Sequence, residues 1–188
     1  MTQWINTKDG YGWISIALHW LAVIAIVLML IIGFRADMLG DAGDRAGRAA
    51  AMGWHIGLGF FLFVILLARV LSSWLQPKPT PVEQPRHLMW LASATHQLLL
   101  IAILIQILSG PLAVWSGGRA INVFDLFAIP SPFAERNEAV HEFAERVHRV
   151  GRWAIIVLAS LHILAVIKHT FVDKNRVLQR MLAPPEKA

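Results

Sequence analysis

The sequence predicts an all-α integral membrane protein, a four-helix transmembrane bundle. Three observations predict it. Four apolar runs each reach the ~20 residues needed to cross a hydrocarbon core of ~30 Å. The chain is 56% hydrophobic and only 15% charged, whereas a soluble domain is about one quarter charged. It holds eight tryptophans and one tyrosine, a usage that fits interfacial anchoring.

The first run covers about Trp13 to Phe34 and the second about Trp54 to Leu75. The third covers about Leu88 to Trp115 and the fourth about Val150 to Phe171. Periodicity is weak inside them, as expected of helices that are apolar all round. Strands of a membrane barrel would be shorter and would alternate, so the runs read as helices. The connection Arg35 to Gly53 is rich in Gly, Ala and Asp. Gln76 to Arg86 carries four prolines, which forbid helix and predict a stiff, extended loop. Ser116 to Arg149 is the longest connection; its segment EAVHEFAERVHR reads as helix, so the fourth helix is expected to begin outside the membrane. With 188 residues and no internal repeat, the chain reads as a single domain spanning 1–188. The first run is too long and too mixed for a cleaved signal peptide.

Charge sets the expected orientation. The net charge is +5, and the basic residues cluster at the ends of apolar runs. That distribution points to membrane lipid and topology, not to nucleic acid. With four spans, both termini and the second connection share a side. All five lysines, Lys8, Lys78, Lys168, Lys174 and Lys187, fall there. Lysine excess marks the cytoplasmic face, so both termini are expected in the cytoplasm, in a bacterial inner (plasma) membrane.

The chemistry lies in the histidines. The chain has no cysteine, which excludes disulfides, thiolate zinc sites, cysteine-ligated iron–sulfur clusters and covalent haem attachment. Of eight histidines, His19, His55, His96 and His162 lie within spans or at their edges, as His148 and His169 do. Ionisable groups in a membrane segment are costly and usually functional. Imidazole suits iron, copper and zinc, and a neutral imidazole can be buried once a metal takes its lone pair.

His148 and His162 stand fourteen residues apart. Fourteen steps return to within about 40° of the same helix face and rise about 21 Å. One helix would thus offer two ligands at two depths, which one metal ion cannot use and two stacked haems can. Depth then assigns the rest: His55 pairs with His148 near the outer surface, and His19 with His162 near the inner one. Two imidazoles fill both axial positions of each iron, which favours electron transfer over oxygen binding.

The remaining groups take supporting roles. Gly53, Gly57, Gly59 and Gly151 flank the ligands and leave room either for a macrocycle or for close helix packing. His96 reads as a hydrogen-bonding neighbour of the inner pair. His169, one heptad beyond His162, is a candidate to bind or protonate a quinone. Arg69, Arg149 and Arg152 are candidate partners of haem propionates or of an anion, with snorkelling to headgroups as the ordinary alternative. His87 and His141 receive no role.

At these residues the chain resembles the bacterial cytochrome b561 family, small four-helix b cytochromes of the inner membrane. The resemblance rests on ISIALHW with His19, MGWHIGLG with His55, ATHQLLL with His96, and VHRVGRWAIIVLASLH with His148 and His162. The ending KHTFVDKNRVLQRML also fits the pattern. The resemblance implies two b haems on the same four ligands and electron exchange with ubiquinone. Some members are similar to superoxide oxidases, which pass electrons from periplasmic superoxide to quinone. The expected function is therefore transfer of electrons from a periplasmic donor, superoxide or a redox protein, to ubiquinone. Two other classes stay open: a haem-bearing anchor subunit for a dehydrogenase or hydrogenase, and a haem-free transporter or metal-binding protein.

Overall fold

The structure, a computed structural model, describes residues 3–185. Four long helices dominate it: α1 (Trp13–Asp41), α2 (Arg45–Leu75), α3 (Arg86–Ser116) and α4 (Glu138–Ile167). All four are long and apolar enough to cross a membrane. A π-helical turn, Lys168–Val172, continues α4, and a short 3₁₀ turn, Gln179–Met181, lies in the tail. Many large apolar side chains on α1 to α4 are exposed, among them Ile24, Ile31, Val64, Val157 and Leu164. In water this would be untenable; against lipid tails it is the expected surface.

The helices outrun the apolar runs. Arg35 to Gly53 is mostly helix, broken only at Ala42 to Asp44. Good helix formers such as Ala36, Met38, Leu39 and Ala49 to Ala51 carry α1 and α2 beyond the apolar stretches. The break is a glycine cap. Gly43 sits at φ +77°, its N–H donates to Gly40 O at 3.0 Å, and Asp44 N–H donates to Leu39 O at 2.9 Å, closing the carbonyls of the last turn. Asp44 then caps α2 by accepting from Gly47 N–H at 2.8 Å. The proline-rich stretch ends at Pro85, directly before α3. Asn137 caps α4, accepting from Val140 N–H at 3.1 Å; α4 thus starts twelve residues before the fourth apolar run, as EAVHEFAERVHR suggested.

Between α3 and α4 lies a hairpin absent from the sequence reading: β1 (Ile121–Val123) pairs antiparallel with β2 (Phe127–Ile129). Phe124 and Asp125 hold φ +50° and +58°, and Leu126 N–H donates to Val123 O at 2.9 Å. That is the mirror-image turn usually written Asn-Gly. A phenylalanine there gives no such signal. Its reward is packing: the Phe124 ring rests on Gly57 of α2, close to Trp54 and Phe61.

The bundle is two antiparallel helix pairs, α1 with α2 and α3 with α4. α2 touches α3 over a shorter stretch, and α4 does not pack its backbone along α1 or α2. An apolar core of Ala22, Ala25, Leu66, Val70, Leu100, Ile103, Ile107 and Ile155 joins the pairs at mid-depth. Above and below that core, the seam between the pairs is bridged by histidine rings.

The end holding both termini is closed by cross-links between distant segments. Trp20 Nε1 donates to Met181 O at 2.7 Å. Arg180 Nη2 donates to Thr80 O at 2.9 Å, and Thr80 N–H donates to Lys8 O at 2.9 Å. We call this the terminal end, and the opposite one the far end.

Candidate functional site

Near the far end, His55 of α2 faces His148 of α4, with ring centres 6.3 Å apart and planes at 81°. Each ring rests against a glycine on the partner helix of its own pair. A Cβ at Gly33 of α1 would lie 3.4 Å from His55 Cε1, and one at Gly110 of α3 would lie 3.3 Å from His148 Cε1. Larger side chains would push the rings toward the seam. His55 Nδ1 is buried with no hydrogen-bond partner, a costly state for a polar atom. His148 is better held: Nδ1 lies 3.1 Å from Ser109 Oγ and Nε2 lies 3.0 Å from Gln106 Nε2.

An ion pair crosses the seam at the same end. Arg152 Nη1 of α4 donates to Asp37 Oδ2 of α1 at 2.6 Å. The guanidinium also lies 4.6 Å from the centre of the Phe34 ring, within cation–π range. Only 18% of the Arg152 side chain is exposed, against 50% of Asp37. Arg152 is thus a charge already partnered, while Arg149 is exposed.

Toward the terminal end, His19 of α1 faces His162 of α4, again with ring centres 6.3 Å apart, here at 66°. His96 of α3 comes closer to His162, at 5.1 Å. Trp20 lies edge-on to His19 at 5.3 Å. Arg69 of α2 is within electrostatic reach of all three imidazoles and of Tyr11; it makes no ion pair with any described residue. Nor do the ring nitrogens of His19, His96 and His162 hydrogen-bond to any described group. Among the described residues no three His, Asp or Glu side chains converge to hold one metal ion. At the terminal end three rings gather, with His162 near both His19 and His96; at the far end two rings meet.

His169 lies beyond the pair, in the π turn. Its Nδ1 is 2.9 Å from Asp173 Oδ2 and 2.9 Å from Asn175 Nδ2. Lys168 Nζ donates to both Asp173 oxygens, at 2.8 and 2.7 Å. The hydrogen bond from Lys168, with its charge and that of His169, holds the Asp173 carboxyl below the usual carboxylate range. Single π turns recur at functional sites, because one extra residue re-aims the side chains. His141 is structural: buried, it donates from Nδ1 to Ala113 O at 2.9 Å and ties the outer turns of α4 to α3.

Five contributors at the far end escaped the sequence reading: Asp37, Gln106, Ser109, Gly33 and Gly110. Gln106 and Ser109 did carry a signal. They are polar residues three apart in an apolar run, hence on one face of α3. Asp37 carried none, since it sat in a stretch read as loop.

The fold defines a multi-pass helical membrane protein whose interior seam is lined by imidazoles. The chain belongs to the prokaryotic cytochrome b561 family, whose sequence profile matches residues 10–184. It is 33% identical over 178 residues to cytochrome b561 homolog 2 of Escherichia coli, covering 94% of this chain and 93% of that one. It is 25% identical over 186 residues to cytochrome b562 of Cereibacter sphaeroides, covering 98% and 99%. It is 24% identical over 174 residues to a probable superoxide oxidase, CybB, of Yersinia pestis, covering 92% and 95%. Membership makes this a bacterial membrane cytochrome of electron transfer and implies b-type haem as its cofactor.

Proposed function

We propose that the chain, as one membrane domain over residues 1–188, carries two b haems and moves electrons from a periplasmic donor to ubiquinone in the inner membrane. His55 with His148, and His19 with His162, would be the axial pairs. The carrying observation is the ring spacing. With about 2 Å from each imidazole nitrogen to a shared metal ion and about 1.2 Å from nitrogen to ring centre, the two ring centres would stand roughly 6.4 Å apart. Both pairs stand at 6.3 Å. His96 at 5.1 Å from His162 is too close to oppose it across one iron, which supports its reading as a neighbour.

Two further features support a flat group in the seam. α1 and α4 do not pack backbone to backbone. Gly33 and Gly110 make way for the two far-end rings. When bound, b haem supplies one-electron carriage at each level of the bundle.

The chain's own residues do the rest. α4 holds His148 and His162 about 21 Å apart along one rigid helix, and the apolar mid-depth core keeps water from the space between. Lysines at the terminal end support placing both termini in the cytoplasm, so His169 would meet quinone on that side. There it is oriented by Asp173 and Asn175 and could hand a proton to reduced quinone. Arg69 carries the charge suited to a propionate. The relative named as a probable superoxide oxidase supports superoxide as donor. Two superoxide anions would give one electron each, leaving two dioxygen molecules, while one ubiquinone takes both electrons and two protons to become ubiquinol. Arg149, exposed at the far end, would draw the anion inward.

The test is pulsed superoxide against oxidised protein in detergent, followed by the α-band. Reduction faster than in a protein-free control with haem b is expected. Full reduction by a chemical donor with no response to superoxide would leave the cytochrome and remove this donor.

A further inference from the structure

The four paired histidines are not held alike. His148 alone is hydrogen-bonded through both ring nitrogens, to two residues of α3, Ser109 and Gln106. The bonds form one directed chain. With the Gln106 amide as placed, its Nε2 donates to His148 Nε2, and the tautomer that fits this carries its proton on Nδ1, facing Ser109. Nδ1–H then donates to Ser109 Oγ at 3.1 Å, and Ser109 Oγ–H donates onward to the Gln106 carbonyl oxygen of its own helix at 3.3 Å. Ser109 is itself buried. Both ring nitrogens of His148 are thus engaged by α3, which fixes the rotation of the imidazole. His19 and His162 have no described hydrogen-bond partner, and His55 Nδ1 has none.

We infer that Ser109 is the positioning residue of the far-end site: by accepting from His148 Nδ1 it selects the ligating tautomer and sets how strongly His148 donates to iron. This rests on the reading of His148 as a ligand. A hydroxyl accepting the Nδ1 proton raises the basicity of the other nitrogen, and a more basic axial ligand stabilises ferric over ferrous iron. Ser109 therefore lowers the reduction potential of the haem on His55 and His148, relative to the same site without the bond. Gln106 is the placeholder. Its amide engages Nε2, and its Oε1 is buried with no partner of its own, so ligation at Nε2 requires the amide to move aside. Packing alone would explain a small residue at 109, but not a buried hydroxyl bonded at both its donor and its acceptor sides.

The experiment is a potentiometric titration of the two α-bands in purified full-length protein, with haem content measured on the same samples. The variants are Ser109→Ala, Ser109→Thr and His148→Ala. Ser109→Ala should keep both haems and raise one midpoint by the equivalent of three- to tenfold in its reduction equilibrium, tenfold being ~59 mV for one electron. The other midpoint should stay put and match the single midpoint left in His148→Ala. Ser109→Thr should restore the wild-type value. Two unmoved midpoints in Ser109→Ala, with His148→Ala down to one haem, would overturn the role of Ser109 while leaving the ligand reading intact. Full haem content in His148→Ala would remove the ligand reading and this inference with it. If Ser109→Ala loses a haem, rescue by threonine supports the role and failure of threonine to rescue overturns it.

Discussion

His55 and His148 face each other across the seam at 6.3 Å between ring centres, and so do His19 and His162. The equality is informative because the two pairs involve different helices, α2 with α4 and α1 with α4. On the proposed reading, each level would hold one haem. Alanine at His55 or at His148 should therefore each remove one haem of two, and the double variant within that pair should remove no more. A double variant taken across pairs, His55→Ala with His19→Ala, should remove both. Pyridine haemochrome quantitation against protein concentration reads this directly. Retention of two haems in any single ligand variant would sink the pairing.

The hairpin makes a second prediction. Phe124 holds a left-handed backbone, which is costly for a bulky residue, and its ring lies where a Cβ on Gly57 would come within 2.8 Å of Cε1 and 2.9 Å of Cζ. Gly57→Val should expel the ring and destabilise the protein by about 1–3 kcal/mol, the usual range for overpacking. Phe124→Ala should lose the same contact without a clash. Because Gly57 is only two residues from His55, both variants should also disturb the far-end haem spectrum more than the other. A thermal melt followed at both α-bands separates the two effects. Unchanged melting in Gly57→Val would mean the hairpin does not dock there.

These two cases show what the sequence could and could not convey. The four spans were legible because lipid imposes length and apolarity on every residue of a run. The pairing by depth was legible because a helix converts residue number into height. Helix ends were not, since α1 and α2 leave the apolar stretch and continue on propensity alone through Ala36 and Ala49 to Ala51. The hairpin was hidden because its turn uses Phe-Asp in place of Asn-Gly, a choice that only the tertiary contact with Gly57 explains. Ser109 and Gln106 could have been read from their spacing, but their target could not: it lies on another helix, about forty residues on.

The Asp37–Arg152 pair governs charge at the far end. Asp37 is half exposed but Arg152 is mostly buried, so removing Asp37 leaves a buried guanidinium unpaired and should destabilise the protein more than loss of an exposed pair would. Its effect on an anionic donor is better resolved. One charge at about 10 Å in water is worth ~0.4 kcal/mol before screening, close to twofold in rate. Asp37→Asn should speed reduction by an anionic donor about twofold at low salt, and Arg152→Gln should slow it by a similar factor. Both differences should shrink as salt rises. Stopped-flow rates with one anionic and one neutral reductant check this; equal effects on the two would assign the change to structure instead of charge.

The Lys168–Asp173–His169 cluster makes a pH-dependent prediction. The folded carboxyl of Asp173 titrates below its ordinary value, chiefly because Lys168 donates to it. A depressed carboxylate contributes fully above its unfolded pKa of ~3.9, and that contribution fades as pH falls through the folded value. The π turn should thus be pinned at neutral pH and loosen in acid. The reporters are two amides closed by the turn, Asp173 N–H to Lys168 O at 3.0 Å and Asn175 N–H to His169 O at 3.0 Å. Their hydrogen exchange, corrected for intrinsic rate, should be slow from pH 7 to about 5 and accelerate toward pH 3. Asp173→Asn cannot be titrated and should exchange fast at every pH. It should also free His169 to turn, weakening quinone reduction without changing haem content. Equal protection in wild type and Asp173→Asn at pH 7 would show that the carboxylate does not hold the turn, and that His169 owes its orientation to Asn175 alone.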